Sequence, residues 1–267
     1  MKKMQTAKLF ISFSDLMEVK LNLDKECSLD NNDVIIYSIY LPNFMDLKAD
    51  LVQFLNAKEL IKAERFYKEI DQNRFIIYRS ILKFILAAHT KLEVKNIDLD
   101  YHLNKKPYLA SHPWLHFNIS HSEDFAAIAV SYKKVGIDIE YMSGDFDFTN
   151  ILPDIFDDNE IFEIKNAFNK KQAFYTSWTR KEAFVKALGK GIDEDFKYIP
   201  CLDGQHNIDS ILLKNKEDWQ MYSFALTEHY LGAVAFEGSS AVCKNLMHCS
   251  MPNTMKDLLE MTQMRNG

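Results

Sequence analysis

Two short runs of small apolar residues constrain the fold of this 267-residue chain more than any other feature. Ala126–Val130 reads AAIAV and Gly232–Phe236 reads GAVAF, and each run follows a long stretch with helical periodicity. Small side chains on a strand let neighbouring backbones and helices pack closely. The repeated order of a helix and then strands fits an α+β fold made of two related halves.

Apolar periodicity places the other elements along the chain. It predicts helices over about Lys58–Arg65, Asp71–Thr90 and, with interruptions, Asn159–Leu188. Runs of β-branched, aromatic and small apolar residues predict strands over Asp33–Leu41, His116–Ser120, Ala126–Ser131 and Val135–Glu140, and a hairpin over Asp218–Leu226 and Tyr230–Phe236. The predicted domain limits are an N-terminal extension at 1–32, an N-terminal α+β subdomain at 33–143, a C-terminal α+β subdomain at 144–240 and a C-terminal tail at 241–267.

Charge and cysteine content argue against several classes of function. The formal net charge is −6, whereas a general nucleic-acid binder needs a basic footprint. No segment approaches the ~20 consecutive apolar residues of a membrane helix. The four cysteines lack the CxxC spacing of a zinc or redox site and indicate reduced thiols in a cytoplasmic protein. Residues 58–108 carry 11 Lys and Arg against 7 Asp and Glu, which fits a small phosphorylated ligand or merely a solvated helix face.

The sequence VGIDIE at 135–140 is the first motif with chemical content. Alternate residues of a strand face the same side, so Asp138 and Glu140 point together while Ile137 and Ile139 face the core. Two adjacent carboxylates repel each other unless a cation or a proton lies between them, and Mg²⁺ accepts such oxygen ligands. The alternative is an exposed acidic strand face.

The second motif is the helical segment WTRKEAFVKALGKG at 178–191. Glu182 and Lys186 lie four residues apart on the border of the apolar stripe, where they can serve a metal and a phosphate or form a surface ion pair. Lys181 falls within the apolar arc, which requires a partner for its charge and indicates either a functional or a specific structural role. Gly189 and Gly191 are expected to end the helix.

The third motif is FNISHS at 117–122. The hydroxyl of Ser120 and the imidazole of His121 can each donate a hydrogen bond to a phosphate. Neighbouring strand residues face opposite sides, so these two are not expected to form the nucleophile and base of a hydrolase. A structural histidine is the simpler alternative.

These motifs, together with KKPYL at 105–109, resemble in their order and spacing the Sfp-type 4'-phosphopantetheinyl transferases. The resemblance covers roughly residues 33–240. It implies a pseudo-twofold monomer of two related α+β subdomains with the active site at their interface. It also implies transfer of the phosphopantetheine arm of coenzyme A (CoA) to a serine of an apo carrier protein, with Mg²⁺ as cofactor and adenosine 3',5'-bisphosphate as the second product. The family often has glycine where this chain has Lys105.

The resemblance assigns roles residue by residue. It implies that Asp138, Glu140 and Glu182 bind Mg²⁺. It implies that Glu182 and Lys186 are catalytic, with Lys186 on the CoA diphosphate and Glu182 as the candidate base for the carrier serine. The implied CoA contacts are Lys62, Arg74, Lys106, Ser120, His121 and Lys186. Glu160, in IFDDNE, matches an acidic family position of undefined role.

Two other functions stay open at this stage. The chain could be a non-catalytic module that binds CoA or a carrier protein, or a DxE metal phosphoesterase that releases phosphate without a carrier. The carrier itself is undetermined, since fatty-acid, polyketide and nonribosomal-peptide carriers all present a serine at a helix start. We expect the carrier to contact the segment 144–173, including Phe156 and Phe162.

Overall fold

The computed structural model describes residues 6–19, 29, 34–191, 193, 195–209, 213, 217–238 and 246–263. The strands are β1 Thr6–Phe13, β2 Leu16–Glu18, β3 Ile35–Tyr40, β4 Asp100–Tyr101, β5 Pro107–Tyr108, β6 His116–Ser122, β7 Phe125–Ser131, β8 Val135–Tyr141, β9 Gly204–Asp209, β10 Trp219–Thr227, β11 Tyr230–Glu237 and β12 Leu246–Ser250. The α-helices are α1 Lys48–Leu51, α2 Ala57–Glu64, α3 Glu69–Thr90, α4 Leu152–Ile155, α5 Asp158–Asn166, α6 Lys170–Leu188 and α7 Met255–Gln263. Short 3-10 turns cover Leu41–Leu47, Val52–Phe54, Val94–Asn96, Thr149–Ile151 and Phe196–Tyr198.

The strands form two five-stranded sheets, which confirms the α+β class. The first sheet has the order β2-β12-β3-β7-β6 and the second has the order β8-β11-β10-β1-β9. The same elements follow one another along the chain in both halves: a strand, two helices and an antiparallel hairpin. They are β3, α2, α3, β6 and β7 in the first half and β8, α5, α6, β10 and β11 in the second. The two halves therefore share one architecture.

The main apolar clusters lie in three layers, one between the two sheets and one between each sheet and its long helix, and a smaller cluster surrounds Phe156 and Phe174. One face of the first sheet packs on α3, and one face of the second sheet packs on α6. The remaining faces pack on each other through the side chains of β3, β7, β8, β10 and β11. The run AAIAV lies on β7, and Ala126, Ala127 and Ala129 are fully buried, as its small side chains predict.

The predicted domain limits require three corrections. Residues 1–32 were predicted to form an extension, but Thr6–Phe13 lies inside the second sheet between β10 and β9. Residues 241–267 were predicted to form a tail, but Leu246–Ser250 is a strand of the first sheet, parallel to β3. The boundary at 143/144 falls too late, because Val135–Tyr141 already pairs with β11 of the second sheet.

Two further observations bear on the expected cellular setting. Among the described residues, Cys201 and Cys249 are buried free thiols, whereas Cys27 and Cys243 lie outside the described residues. In the part of the chain that the structure describes, no helix has both the length and the apolar character that crossing a membrane requires.

Candidate active site

Strand β8 places Asp138 at the centre of the candidate site. Its side chain is 3% exposed, and its Oδ1 accepts hydrogen bonds from Lys186 Nζ at 2.6 Å and Ser120 Oγ at 2.8 Å. Its Oδ2 is also buried but has no hydrogen-bond donor among the described residues. A buried carboxylate oxygen without a donor loses the free energy of solvation unless a cation binds it. Asp138 therefore presents a ready cation ligand.

Glu140 lies two residues further along the same face and is half-buried. Its Oε2 accepts a hydrogen bond from Ser122 Oγ at 2.9 Å, and its Oε1 accepts one from Trp178 Nε1 at 3.4 Å. Burial raises the pKa of Glu140, and the neighbouring Asp138 charge raises it further. The carboxylate is therefore held in place but is not neutralised, which leaves it available to a cation.

A glycine lets helix α6 approach this strand. A Cβ atom at Gly136 would lie 2.1 Å from the carbonyl oxygen of Ala183 and 2.2 Å from the backbone nitrogen of Ala187. Only glycine tolerates that approach, because the obstructing atoms belong to backbone. The close packing brings the α6 side chains of Glu182 and Lys186 over the carboxylates of β8.

The electrostatics of the α6 pair follow from this approach. Burial raises the pKa of Glu182 to about 7, with Asp138 and Glu140 contributing and Lys186 opposing. Burial alone would lower the pKa of Lys186, but its ion pair with Asp138 reverses the effect and the pKa is raised. Lys186 therefore pairs across the site with β8, so the alternative of an isolated surface ion pair with Glu182 does not describe it.

The donor chemistry of this cluster fits a hard divalent cation. Asp138, Glu140 and Glu182 are carboxylates on facing elements, which are the ligands that Mg²⁺ prefers. The orphaned Oδ2 of Asp138 and the raised pKa values of both glutamates indicate a deficit of positive charge. Within the described ranges, no three His, Cys, Asp or Glu side chains are yet close enough together to hold a metal ion. Lys186 instead neutralises Asp138.

Ser120 and His121 lie on opposite faces of β6, as the strand pattern predicts. Ser120 is buried against Asp138, whereas the ring of His121 lies on the other face and stacks on Tyr78 with a centroid distance of 4.8 Å. Desolvation in the cleft lowers the pKa of His121, and the positive charges of Lys186 and Arg74 lower it further. The imidazole can donate a hydrogen bond to a phosphate, and it does not face Ser120, so the two residues cannot form the nucleophile and base of a hydrolase.

Arg74 of α3 is bound by acidic neighbours. Its guanidinium lies 3.1 Å from Glu123, 3.4 Å from Asp124 and 3.4 Å from Asp71. Its Nε is buried and has no acceptor among the described residues. Arg74 is thus held at the edge of the cleft near His121, with one donor left over.

Lys62 lines a separate cavity of about 680 Å³ beside α2. The charged side chains around this cavity are mostly basic, namely Lys58, Lys62, Arg65 and Lys105, with Glu59 as the acidic one among the described lining residues. Burial lowers the pKa of Lys62, and Arg79 and Lys105 lower it further against the opposing effect of Glu59. The cavity therefore carries an excess of positive charge.

Lys106 is not brought to this cavity. Its Nζ donates hydrogen bonds to the carbonyl oxygens of Val135 at 2.9 Å, Lys186 at 2.6 Å and Ala187 at 3.3 Å. Burial lowers its pKa to about 8. Lys106, which the resemblance assigned to CoA binding, therefore joins β8 to the end of α6 through these hydrogen bonds.

Two groups of the site were missed in the sequence. Ser122 and Trp178 both donate a hydrogen bond to Glu140, and neither was predicted to be a site residue. The signal was present, because Trp178 lies four residues before Glu182 on the same helix. A cavity of about 380 Å³ opens beside Glu140, and its lining includes Ser122, Tyr141, Phe146, Tyr175 and Trp178.

The buried Lys181 has a structural explanation. It is fully buried, lies 2.8 Å from Glu160 Oε2, and donates hydrogen bonds to the carbonyls of Ile199 at 2.6 Å and Lys197 at 2.8 Å. Glu160 also completes the capping box of α5 with Asp157. These contacts join α6, α5 and the following turn, and they lie outside the carboxylate cluster.

Comparison with known proteins agrees with this division of the chain. Residues 134–235 match the family model described as "4'-phosphopantetheinyl transferase superfamily", and residues 42–133 match the one described as "4'-phosphopantetheinyl transferase, N-terminal". The two models meet between β7 and β8, at the junction of the two sheets.

Three curated relatives give the scale of the similarity. The chain is 33% identical over 172 residues to "4'-phosphopantetheinyl transferase HetI" of Nostoc sp., covering 62% of this chain and 72% of the relative. It is 27% identical over 181 residues to "4'-phosphopantetheinyl transferase Sfp" of Bacillus subtilis, covering 65% and 80%. It is 26% identical over 208 residues to the human "L-aminoadipate-semialdehyde dehydrogenase-phosphopantetheinyl transferase", covering 69% and 67%.

Proposed function

The chain belongs to the 4'-phosphopantetheinyl transferase superfamily and is a phosphopantetheinyl transferase, and from this premise we propose its reaction in detail. It transfers the phosphopantetheine arm of CoA to a serine of an apo acyl, peptidyl or polyketide carrier protein and releases adenosine 3',5'-bisphosphate. The reaction depends on Mg²⁺. The observation that carries this proposal is the buried, half-satisfied carboxylate of Asp138 between Glu140, Glu182 and Lys186.

The bond changes define what the site has to do. The serine oxygen of the carrier forms a bond to the phosphorus next to the pantetheine arm. The bond from that phosphorus to the oxygen bridging to the nucleotide breaks, and the nucleotide leaves with the electron pair. The serine proton goes to a base, for which Glu182 is the candidate. Such a reaction is accelerated mainly by positioning and by neutralisation of phosphate charge.

The residues of this chain divide that work. Asp138, Glu140 and Glu182 would hold Mg²⁺, which when bound supplies positive charge to the diphosphate. Lys186 neutralises Asp138 at 2.6 Å in the absence of substrate, and its ammonium would serve the diphosphate in the complex. Ser120 supports the pair, because its hydroxyl donates to Asp138 and accepts from Lys186 at 3.2 Å.

Basic side chains for CoA also lie outside the carboxylate cluster. His121 lies within electrostatic reach of both Lys186 and Arg74. The cavity lined by Lys62 adds further positive charge, which attracts an anionic ligand. We assign His121 and Arg74 to the CoA phosphates and the cavity to the nucleotide end of CoA.

The carrier surface is assigned with one correction. Phe156 is fully buried and contacts Phe174 and Lys181, so it is a core residue and cannot contact a carrier. Phe162 is 63% exposed on α5 and Phe168 is fully exposed before α6. Exposed aromatic side chains of this kind are typical anchors of protein interfaces. We assign Phe162 and Phe168 to the carrier contact.

The decisive experiment is intact-mass spectrometry of a mixed panel of apo carrier proteins. The panel is incubated with the protein, CoA and Mg²⁺, and Glu182→Ala serves as the control. We expect one phosphopantetheine arm on at least one carrier, with no gain in the control or without Mg²⁺. A folded protein that binds CoA but modifies no carrier would support the non-catalytic module, and release of nucleotide without any carrier would support the phosphoesterase.

The carrier contact is tested separately. Phe162→Asp should lower the rate of carrier modification without changing the dissociation constant for CoA. Trp114→Ala, at an exposed aromatic residue outside the segment 144–173, is the control. An equal loss of both properties in Phe162→Asp would contradict the assignment.

A further inference from the structure

The two lysines of the KKP sequence point in different directions. Lys105 precedes β5 in a tight turn, where its backbone N–H donates to the carbonyl of His102 at 2.8 Å. The φ angle of Lys105 is +61°, in the left-handed region. This conformation is readily adopted by glycine and costs other residues stability. The turn directs Lys105 towards the cavity beside α2 and Lys106 towards the end of α6.

Lys106 has no donor left for a ligand. An ammonium group has three protons, and the structure gives Lys106 three carbonyl acceptors, on Val135, Lys186 and Ala187. The last carbonyls of a helix have no partner within the helix, so these hydrogen bonds satisfy the end of α6. Asn104 adds a hydrogen bond to the carbonyl of Gly189 at 2.9 Å. The turn thus fixes the end of α6 against the start of β8.

The hydrogen bonds of Lys106 lie close to the residues of the active site. The carbonyl that Lys106 binds most closely belongs to Lys186 itself, and Val135 lies three residues before Asp138 on β8. Lys106 therefore sets the relative position of the two elements that carry the ion pair between Lys186 and Asp138. This is a positioning role, exerted without contact to substrate.

Lys105 has the opposite surroundings. It lines the cavity of about 680 Å³, and its charge acts on Lys62 across that space. Glu59, the acidic lining residue, is itself paired with Lys83 at 2.7 Å. Lys105 therefore adds a positive charge to a cavity whose described charged lining is already mostly basic.

We propose that the two lysines divide the work between them, with Lys105 binding the 3'-phosphate of CoA and Lys106 positioning α6. This inference rests on the proposed function, because it requires CoA as the ligand. It reverses the assignment that the resemblance implied for Lys106. It also explains how a lysine persists at a left-handed position that suits glycine, since its charge contributes to binding.

The test compares CoA with 3'-dephospho-CoA in three proteins: the wild type, Lys105→Gly and Lys106→Met. Dissociation constants come from calorimetry and kcat from carrier modification. We expect Lys105→Gly to lose about ten- to a hundredfold in affinity for CoA, the size of one charge-assisted hydrogen bond, and nothing for 3'-dephospho-CoA. We expect Lys106→Met to lower kcat by about tenfold or more with both ligands, because a displaced helix misplaces the reacting groups, while their affinity ratio stays at the wild-type value.

Controls separate charge from backbone effects and function from fold. Lys105→Gln removes the charge but keeps the side chain, so it should match Lys105→Gly in affinity while lacking the gain in stability that glycine brings at this φ. Amide hydrogen exchange in the last turn of α6 should become faster in Lys106→Met without any ligand. That readout stays informative even if the wild type transfers nothing, an outcome that would overturn the proposed function alone.

Two results would overturn the division of roles. One is loss of the preference for the 3'-phosphate in Lys106→Met with the preference intact in Lys105→Gly. The other is unchanged kcat and unchanged exchange in a folded Lys106→Met. If Lys106→Met does not fold, Lys106→Gln replaces it in both measurements.

Discussion

The two halves of the molecule carry different side chains on equivalent strands. In the first half, β3 presents Ile35, Tyr37 and Ile39 to the apolar core that it shares with α3, and all three are buried. In the second half, the equivalent face of β8 presents Gly136, Asp138 and Glu140 to α6. The strand pairings make these faces equivalent, because β3 pairs with β7 as β8 pairs with β11. The candidate catalytic carboxylates therefore lie in the half whose strand has polar side chains where the other half has apolar ones.

The buried ion pairs are what the two halves have in common. Helix α2 begins with a capping box of Asn56 and Glu59, and α5 begins with one of Asp157 and Glu160. In each half the capping glutamate also pairs with a buried lysine of the following long helix, Lys83 in the first and Lys181 in the second. A feature present in both halves belongs to the scaffold, whereas the carboxylates of β8 belong to one half and hence to function.

The largest expected effect tests the shared scaffold. Lys181→Met should lower the free energy of unfolding by about 3–5 kcal/mol, because it leaves the buried Glu160 without its ion-pair partner. Lys83→Met should lower it by less, because Arg79 still lies 4.0 Å from Glu59. Urea denaturation measures both. Removing the charge of the glutamate as well, in Glu160→Gln with Lys181→Met, should recover part of the loss. Unchanged stability with lost transfer in Lys181→Met would place that lysine in the chemistry instead.

The next effect separates equivalent positions on the two strands. Asp138→Asn should lower the rate of carrier modification by about 10²–10³-fold, since it removes a charge around which the site is built. Tyr37→Phe, at the equivalent position of β3, loses a hydrogen bond to His89 of 2.8 Å and should cost about 0.5–1.5 kcal/mol of stability without affecting transfer. Similar kinetics for the two variants would remove the functional distinction between the strands.

A smaller effect tests the approach of α6. Gly136→Ala should destabilise the protein by about 1–3 kcal/mol and lower the rate of transfer, because a Cβ atom would collide with the backbone of α6. Gly144→Ala is the matched control, since nothing lies within 4 Å of a Cβ atom there. Equal thermal midpoints for the two variants would show that the close approach is not required.

The smallest effect concerns the pH dependence of CoA binding. The pKa of His121 is lowered, so its imidazole is neutral at pH 7 in the free protein. A bound phosphate favours the imidazolium and raises this pKa, so binding should take up as much as one proton, and affinity should fall as the pH rises through the raised value. Calorimetry in two buffers of different ionisation heat measures the uptake.

A variant of His121 completes that test. In the second half the equivalent place in the hairpin is taken by Ala225, which pairs with Leu231 as His121 pairs with Ala126. His121→Asn should abolish the proton uptake while keeping a hydrogen-bond donor. Uptake that persists in His121→Asn would assign the proton to another group.

Much of the fold and the site could be predicted from local sequence. The alternation in VGIDIE was sufficient to place Asp138 and Glu140 on one face, and the four-residue spacing was sufficient to place Glu182 and Lys186 on one border of α6. Gly189, with a φ of +67°, ends α6 as predicted. These features depend on neighbours within a few residues, and periodicity reports such neighbours directly.

The features that could not be predicted from the sequence depend on contacts between distant segments. Leu9 pairs with Trp219 and Met247 pairs with Ile35, and no local pattern reveals parallel pairing over such separations. The direction of Lys106 depends on the left-handed turn at Lys105, and a lysine gives no sequence signal for that conformation. The ion pair of Lys181 could not be predicted either, because its partner Glu160 belongs to a different helix.

The placement of an N-terminal strand in the second sheet and of a C-terminal strand in the first sheet affects how the protein folds during synthesis. Strand β1 cannot pair with β10 until more than two hundred further residues have been synthesised. Strands β2 and β3 likewise cannot pair with β12 until the end of the chain has been made. A nascent chain that has completed only its first half therefore exposes the unpaired edge of β3, which another chain can pair with. The second sheet has all its strands once β11 has emerged at Glu237, whereas the first sheet is complete only after β12 ends at Ser250, so the first sheet is the last to be completed.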